Sequence, residues 1–434
     1  MGKIIIIIYF FIILFIFSYC EKKKTTDALS FVEIGANVKN IRKIYLSQFS
    51  DNVRYVPLEN SLDHPLSWTW NILSDFSEKY ILDSDGGICL LYDNKGHLVR
   101  QIGKRGRGPG EYTGIKSVAF MNENIYIHDY FSDDLIEYKM DGTLVKRYKS
   151  GFTTDEGYHM EDAILINDSM IFGNIENRTG QVEYKALMID KKGDVKYYYK
   201  NYILFELEPG VDHAKAPGDA VLYRFGNKIF FKELLNDTLF KMDYQYQLIP
   251  AYVFDFGKYK QPLSERGKDW SQIDFSSYIK LQYAYQTDNF LILVCDFAKY
   301  FPAKRLTPEI IKLPGSKDYT QWYNTSAVLG IYDKQTGNLV FSETTSTDNH
   351  LFTSGFYNDI DAGPKFMPVK MVNDSTMVMK IRFEQLIEHI ASDDFKNNTP
   401  KYPERKKRLE ELVDSLMKAE FDNPLYMMVT FNSK

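Results

Sequence analysis

The sequence predicts an all-β fold, a six-bladed β-propeller built from four-stranded antiparallel blades. Two patterns support this prediction: a short β run that recurs six times after a polar turn, and a hairpin that follows it in five of the six units. The 434-residue chain also holds 32 Tyr and 30 Phe, and aromatic residues favour strands over helices. A repeat of strands and turns in this fixed order is typical of propeller blades.

Each recurring run follows another strand through a turn rich in Asn, Asp or Gly, residues that tolerate the positive φ of tight hairpins. The six runs are Tyr80–Asp83, Ile125–Asp129, Met170–Gly173, Lys228–Lys232, Phe290–Asp296 and Thr376–Lys380. The five hairpins are Leu90–Val99, Ile136–Val145, Leu187–Val195, Leu239–Ile249 and Gly330–Val340. Each unit therefore contains four strands, a to d, in an up-and-down meander.

The sixth unit lacks a fourth strand of its own. Asn52–Leu58 precedes the first unit without a partner, and Leu425–Phe431 supplies strand c of the last unit. We expect the N-terminal strand to complete the last blade and close the ring, because closure removes two open sheet edges. A helical insertion at about 384–424 interrupts that blade, and the helical spacing of its apolar residues predicts packing against the propeller.

The first residues are predicted to lie outside the fold. Lys3 precedes the apolar run Ile4–Phe17, which is shorter than the about 20 residues of a membrane-spanning helix and is typical of a signal peptide. Cys20 follows and resembles the lipidated cysteine of a bacterial lipoprotein box. The predicted division is a signal peptide over 1–19, a lipidated cysteine and tether over 20–50, and a propeller domain over 51–434. An uncleaved anchor and an ordinary secretory signal are the alternatives.

Several stretches carry a family resemblance. They are Arg54–Glu59, Gly103–Tyr112, Asn236–Asp243 and Asp422–Phe431. With these stretches the chain resembles the six-bladed β-propeller lipoproteins of Gram-negative bacteria, and its glycine-rich stretch is similar to the joint of NHL-type propeller repeats. The resemblance implies the fold and an outer-membrane lipoprotein that faces the periplasm or the cell surface. It implies no catalytic residues.

The glycine-rich stretch 103–114 joins strand d of the first unit to strand a of the second. Its glycines do not match the spacing of a phosphate-binding loop, and no helix follows. We therefore interpret it as a corner between blades. The alternative is a ligand-facing patch made of Arg105, Arg107, Glu111 and Tyr112.

The two faces of the predicted propeller differ. The a–b and c–d turns are short and polar and share one face, the plain face. The long connections are of the b–c and d–a kind and share the other, the long-loop face. Because loops on a rigid scaffold often carry function, we expect a ligand on the long-loop face. Its aromatic candidates are Trp270, Trp322 and Tyr323.

The long-loop face, together with the lack of a recognisable catalytic set in the sequence, favours a membrane-anchored binding module for a glycan, a peptide or a partner protein. The formal net charge is -5 and the basic residues are scattered, which argues against nucleic acid. No cofactor motif or metal box is present, and Cys89 and Cys295 are expected to be buried free thiols. The alternative is a propeller hydrolase or lactonase with a divalent cation near the channel, for which Asp129, Asp162 and Asp296 are candidate ligands. Propellers host both classes, so the fold does not choose between them.

Overall fold

Six antiparallel sheets form the blades of a propeller in a computed structural model of the chain. The structure describes residues 29–60, 66, 73–149, 159–214, 220–233, 236–301, 309–311, 319–321, 327–344, 354–419 and 423–432. Blades 1 to 6 follow chain order, and each contains four antiparallel strands in a meander, as the sequence predicts. The predicted signal peptide and Cys20 lie outside the described residues.

Four elements precede the first blade. They are β1 (Ser30–Glu33), the short helix α1 (Ile34–Asn37), β2 (Ile41–Arg42) and β3 (Asn52–Pro57).

Blades 1 to 3 are regular meanders. Blade 1 consists of β4 (Leu73–Phe76), β5 (Tyr80–Ser84), β6 (Cys89–Asp93) and β7 (Leu98–Gln101). The corner after it contains β8 (Lys104–Arg105) and β9 (Glu111–Tyr112). Blade 2 consists of β10 (Ile115–Met121), β11 (Asn124–Asp129), β12 (Leu135–Lys139) and β13 (Leu144–Tyr148). Blade 3 consists of β14 (Ala163–Leu165), β15 (Met170–Asn174), β16 (Tyr184–Asp190) and β17 (Val195–Lys200).

Blades 4 to 6 carry the additions to the basic pattern. Blade 4 consists of β18 (Val221–Phe225), β19 (Lys228–Lys232), β20 (Thr238–Met242) and β21 (Leu248–Asp255). Blade 5 consists of β22 (Lys280–Gln286), β23 (Phe290–Asp296), β26 (Ala327–Asp333) and β27 (Leu339–Ser342), with the hairpin β24 (Glu309–Ile311) and β25 (Tyr319–Gln321) inserted between β23 and β26. Blade 6 consists of β28 (Lys370–Met371), β29 (Thr376–Ile381), β30 (Leu425–Thr430) and the N-terminal β3.

Helices occupy the b–c connection of blade 6 and short turns of 3-10 helix occupy several loops. The helices are α2 (Phe383–Ala391), α3 (Asp393–Asn397) and α4 (Pro403–Lys418). The 3-10 turns are Leu46–Gln48, Gly257–Tyr259, Leu263–Glu265, Trp270–Gln272, Phe275–Ser277 and Ala298–Tyr300. Leu409 and Val413 of α4 join the apolar core of blades 5 and 6, so the insertion packs on the propeller as predicted. None of the helices in the described part of the chain combines the length and the hydrophobicity that a membrane crossing needs.

The N-terminal strand closes the ring, as predicted. β3 pairs with β30 in antiparallel register from Asn52 opposite Thr430 to Pro57 opposite Leu425. The seam between blades 6 and 1 also holds a buried ion pair, in which Lys380 Nζ lies 3.1 Å from Asp83 Oδ2. Closure therefore combines a strand ladder with a charged contact between neighbouring blades.

The tether predicted over 20–50 is wrong for its described part. β1 pairs in parallel with β21 on the outer edge of blade 4, and β2 pairs in parallel with β27 on the outer edge of blade 5. Val32, Ile34 and Leu46 are fully buried. Residues 30–50 therefore form a strap around the outside of the propeller and belong to the folded domain.

The cysteine prediction is confirmed. Cys89 of blade 1 and Cys295 of blade 5 are both buried free thiols.

Candidate functional site

The glycine-rich stretch forms the predicted corner between blades 1 and 2. β8 and β9 pair to close the loop. Gly103 has φ +61°, and a Cβ there would lie 2.6 Å from the hydroxyl of Tyr138. A Cβ at Gly106 would lie 2.0 Å from the carboxylate of Glu111, which fills the inside of the loop. The positive φ favours glycine at position 103. A side chain at position 106 would require the carboxylate of Glu111 to move.

The predicted patch on this corner is only partly at the surface. Tyr112 is fully buried, whereas Arg105 and Arg107 are exposed. The Glu111 carboxylate accepts a hydrogen bond from Gly108 N at 2.8 Å and lies 3.2 Å from Lys104 Nζ. The N–H of Gly108 and then the Lys104 ammonium lower the pKa of Glu111. Glu111 therefore holds its own loop together, and only the two arginines are presented to solvent.

The structure places only one of the three predicted aromatic residues. Trp270 begins a 3-10 turn in the d–a connection between blades 4 and 5. Trp322 and Tyr323 fall outside the described residues.

Polar contacts join several blades at the plain-face end of the central channel. Gly226 N donates to Asp374 Oδ1 at 2.9 Å, which joins the a–b turns of blades 4 and 6 although these blades are not neighbours. Lys370 Nζ of blade 6 lies 3.4 Å from Asp75 Oδ1 of blade 1. Phe120 N of blade 2 donates to the same carboxylate at 2.7 Å. The inner strands are thus tied together at this end.

The long-loop end of the channel carries a group of charged and imidazole side chains from blades 2 and 3. We call it the mouth cluster. Each position lies where a d–a or b–c connection meets a strand, so the meander brings all of them to one face. The members are Lys116, His128, Asp133, His159, Glu161 and Arg178.

His159 lies at the centre of the mouth cluster. Its Nδ1 is 3.0 Å from Asp133 Oδ2, and its Nε2 is 3.3 Å from Lys116 Nζ. Lys116 Nζ also donates to Glu161 Oε2 at 3.3 Å. Nδ1 thus faces the carboxylate of Asp133, and Nε2 faces the ammonium of Lys116. This chain of contacts joins blade 2 to blade 3 across the mouth.

Two further residues complete the cluster. His128 Nε2 lies 3.3 Å from Asp133 Oδ1, and Arg178 donates to Glu161 Oε1 at 3.1 Å. Burial lowers the pKa of His128 below its ordinary value of about 6.5, although Asp133 acts in the opposite direction. Burial therefore favours the neutral form of His128. This buried imidazole contacts Asp133 from the interior of blade 2.

An exposed aromatic pair adjoins the cluster in the loop between β11 and β12. Tyr130 is 58% and Phe131 is 73% exposed, with ring centroids 5.0 Å apart in an edge-to-face arrangement. The Phe131 ring covers Gly114, where a Cβ would lie 3.3 Å from it. This pair was not predicted from the sequence, because the segment has the composition of a polar turn. An aromatic doublet within a b–c connection is the signal that could have found it.

The proposed metal ligands do not come together. Asp129 is fully buried, accepts from Thr113 N at 2.9 Å and lies 3.3 Å from Arg147. Asp162 and Asp296 belong to blades 3 and 5. Within the described residues, no group of three or more His, Cys, Asp or Glu side chains is arranged to hold a metal ion. Asp129 therefore serves the packing of its own loop.

These blades, their closure by β3 and the meander topology define a six-bladed β-propeller. The chain belongs to the DUF4934 family, described as a domain of unknown function, whose model matches residues 29–430. No curated protein sequence matches the chain significantly.

Two solved structures share the fold. A Bacteroides fragilis protein described as exported has a TM-score of 0.57 and 16% identity, over 93% of this chain and 99% of its own. A member of the DUF4221 family from Bacteroides vulgatus has a TM-score of 0.52 and 12% identity, over 88% of this chain and 97% of its own. At these identities the similarity shows the fold alone.

Proposed function

We propose that this protein is an exported binding module that holds its ligand at the long-loop mouth of the propeller channel. The observation that carries the proposal is the difference between the two ends of the channel. The plain-face end is tied together by bonds such as that between Gly226 and Asp374. The long-loop end presents the mouth cluster beside the exposed Tyr130 and Phe131. Among the described residues, the long-loop end therefore offers a ligand polar partners next to exposed aromatic rings.

The internal pairing of the cluster favours recognition over catalysis. His159 holds Asp133, and both Lys116 and Arg178 hold Glu161. Side chains locked by their neighbours present a fixed pattern of donors and acceptors, and such preorganisation lowers the cost of binding. We include Arg105, Arg107 and Trp270, which lie in d–a connections, among the proposed contributors. Trp322 and Tyr323, which fall outside the described residues, remain candidates from the sequence.

Mapping the ligand to one face tests this function. The full chain is screened by thermal shift against oligosaccharides, peptides and amino acids, since a ligand that binds only the folded state raises the midpoint. Arg178→Ala is expected to weaken any compound that binds by about tenfold, because central contacts carry most of the binding energy. Lys192→Ala, in the turn between β16 and β17 on the plain face, is the matched control. If only the control substitution abolished binding, the site would lie on the plain face and the proposal would be wrong.

The export part of the proposal includes a lipid anchor at Cys20 and an outer-membrane location facing the periplasm or the cell surface. Its support is the apolar run that ends just before Cys20 and the likeness to a B. fragilis protein described as exported. We also propose that the chain is related to lipoproteins with NHL-type propeller repeats, because its glycine-rich corner is similar to the joint of those repeats. Acyl chains contribute about 0.8 kcal/mol per buried CH2, so two or three chains anchor a protein stably.

Replacing Cys20 with serine is expected to move the protein from the membrane fraction to the soluble fraction, because serine cannot form the thioether that carries the lipid. Metabolic labelling with a fatty acid followed by fractionation measures this directly. Cys295→Ser is the control, since that buried thiol is not a lipid acceptor. Labelled fatty acid in the Cys20→Ser protein would refute the anchor.

A further inference from the structure

We infer that the ligand of the long-loop mouth is a neutral oligosaccharide that stacks on Phe131 and Tyr130 and is hydrogen-bonded by the mouth cluster. This inference rests on the proposed function, and it adds the chemical class of the ligand. Three properties of the mouth lead to it: its apolar surface, the pairing of its charged side chains and its remaining hydrogen-bonding capacity.

The apolar surface is small and exposed. Phe131 and Tyr130 lie mostly in solvent, in a loop that is fixed by its own bonds. Phe131 N donates to Asp129 Oδ1 at 3.2 Å, and Arg147 donates to Ser132 Oγ at 3.2 Å. An aromatic ring held in this way offers a flat contact at low entropic cost. The C–H face of a pyranose ring matches such a surface in size.

Each charged side chain of the mouth cluster already contacts a polar partner. Asp133 contacts two imidazoles, Glu161 contacts an ammonium and a guanidinium, and the guanidinium of Arg178 also contacts Glu176. An ionic ligand would have to displace one of these partners and leave a partly buried charge without its own, which is costly. The pairing therefore favours a ligand without net charge.

The same side chains can still form hydrogen bonds with the hydroxyl groups of a ligand. Lys116 Nζ uses two of its three N–H groups within the cluster. Arg178 donates through Nε to Glu176 and through one terminal nitrogen to Glu161, while its other terminal nitrogen has no partner among the described residues. The oxygens of Glu161 remain able to accept further bonds. Neighbouring sugar hydroxyls can accept from the guanidinium and donate to the carboxylate at once.

The mouth is less suited to an extended peptide. Peptides commonly bind as an additional strand on a free sheet edge, where main-chain hydrogen bonds supply affinity. The mouth cluster is made of strand ends and loops, from β10, β11 and the connections before β14 and β16. It offers side chains rather than a backbone edge.

The test is isothermal titration of the full chain with three sets of probes. They are neutral oligosaccharides of hexoses and N-acetylhexosamines, oligosaccharides that contain uronic acids, and tryptic peptides of a soluble protein. We expect binding by members of the neutral set only. Phe131→Ala is expected to weaken that binding at least about tenfold. Phe131→Tyr keeps the ring and is expected to retain binding.

The matched control is Tyr244→Ala. Tyr244 is 91% exposed and lies in the turn between β20 and β21 on the plain face, so its removal is expected to leave the affinity unchanged. The thermal midpoint of each variant shows that it is folded.

The outcomes separate the two levels of the proposal. If peptides or acidic sugars bind and Arg178→Ala weakens them, the inferred class is wrong while the mouth remains the site. If neutral sugars bind and only Tyr244→Ala weakens them, both the site and the function proposed for it are wrong. If no neutral oligosaccharide binds at up to about 10 mM, the inferred class is also refuted.

Discussion

Replacing Asp83 with alanine is expected to lower the free energy of unfolding by about 3–5 kcal/mol. The side chain of Lys380 is 2% exposed and that of Asp83 is fully buried. The hydroxyls of Ser74 and Tyr426 bind the same carboxylate, at 2.6 Å and 3.1 Å. Without the carboxylate, the ammonium group is left unpaired inside the seam between blades 6 and 1. Equilibrium unfolding in denaturant measures the loss.

A second variant isolates the charge effect. The double substitution of Asp83→Leu with Lys380→Met removes both charges and is expected to recover much of the lost stability, because apolar groups can replace a buried ion pair at little cost. Lys407→Ala is the surface control, since the Lys407–Glu411 pair is exposed and such pairs contribute little. A single variant as stable as the wild type, or a double variant no better than the single one, would contradict this account of the seam.

Deleting Asn52–Pro57 is expected to open the ring and to cause aggregation. The deletion removes the partner of β30 along six residue pairs and leaves that strand as an exposed edge. It also removes the contacts of the buried Val56. Burial of one such side chain contributes about 1.5–3 kcal/mol, and the lost strand ladder adds to this. Thermal unfolding and size-exclusion chromatography of the full and deleted chains measure the effect.

Point substitutions in two comparable strands provide the control. Val56 and Val145 both lie in the outermost strand of a blade meander, but Val56 is buried at the closure and Val145 is 45% exposed in blade 2. Val56→Asp is expected to destabilise the protein strongly and Val145→Asp only slightly. Equal effects of the two substitutions, or a deleted chain that melts like the full one, would refute closure by β3.

The blades could be predicted because their signals are local. Strand length, hairpin turns and the spacing between β runs all repeat along the chain, and ring closure follows from one surplus strand and one missing strand. The strap could not be predicted, because β1 and β2 have only four and two residues. Runs this short become strands only when a finished blade edge offers them hydrogen bonds.

The face of the candidate site could be predicted, but its residues could not. Turn lengths along the meander place the long connections on one side. The contacts of His159 with Asp133 and Lys116 join positions 26 and 43 residues apart in two blades, so no sequence motif marks them. The alternative interpretation of the glycine-rich stretch placed Tyr112 in a ligand-facing patch, whereas its ring is buried in the core.

The strap determines how the propeller responds to a mechanical force that is applied at its N-terminal end. β1 runs parallel to β21 in matched register from Ser30 to Glu33, so tension along the preceding chain acts along both strands. Such a load shears the hydrogen bonds between them together instead of unzipping them one by one. β21 starts at the c–d turn of blade 4, so the chain reaches Ser30 from the plain-face side. A pull on Ser30 along the axis of β1 would thus load all four residue pairs between β1 and β21 at the same time.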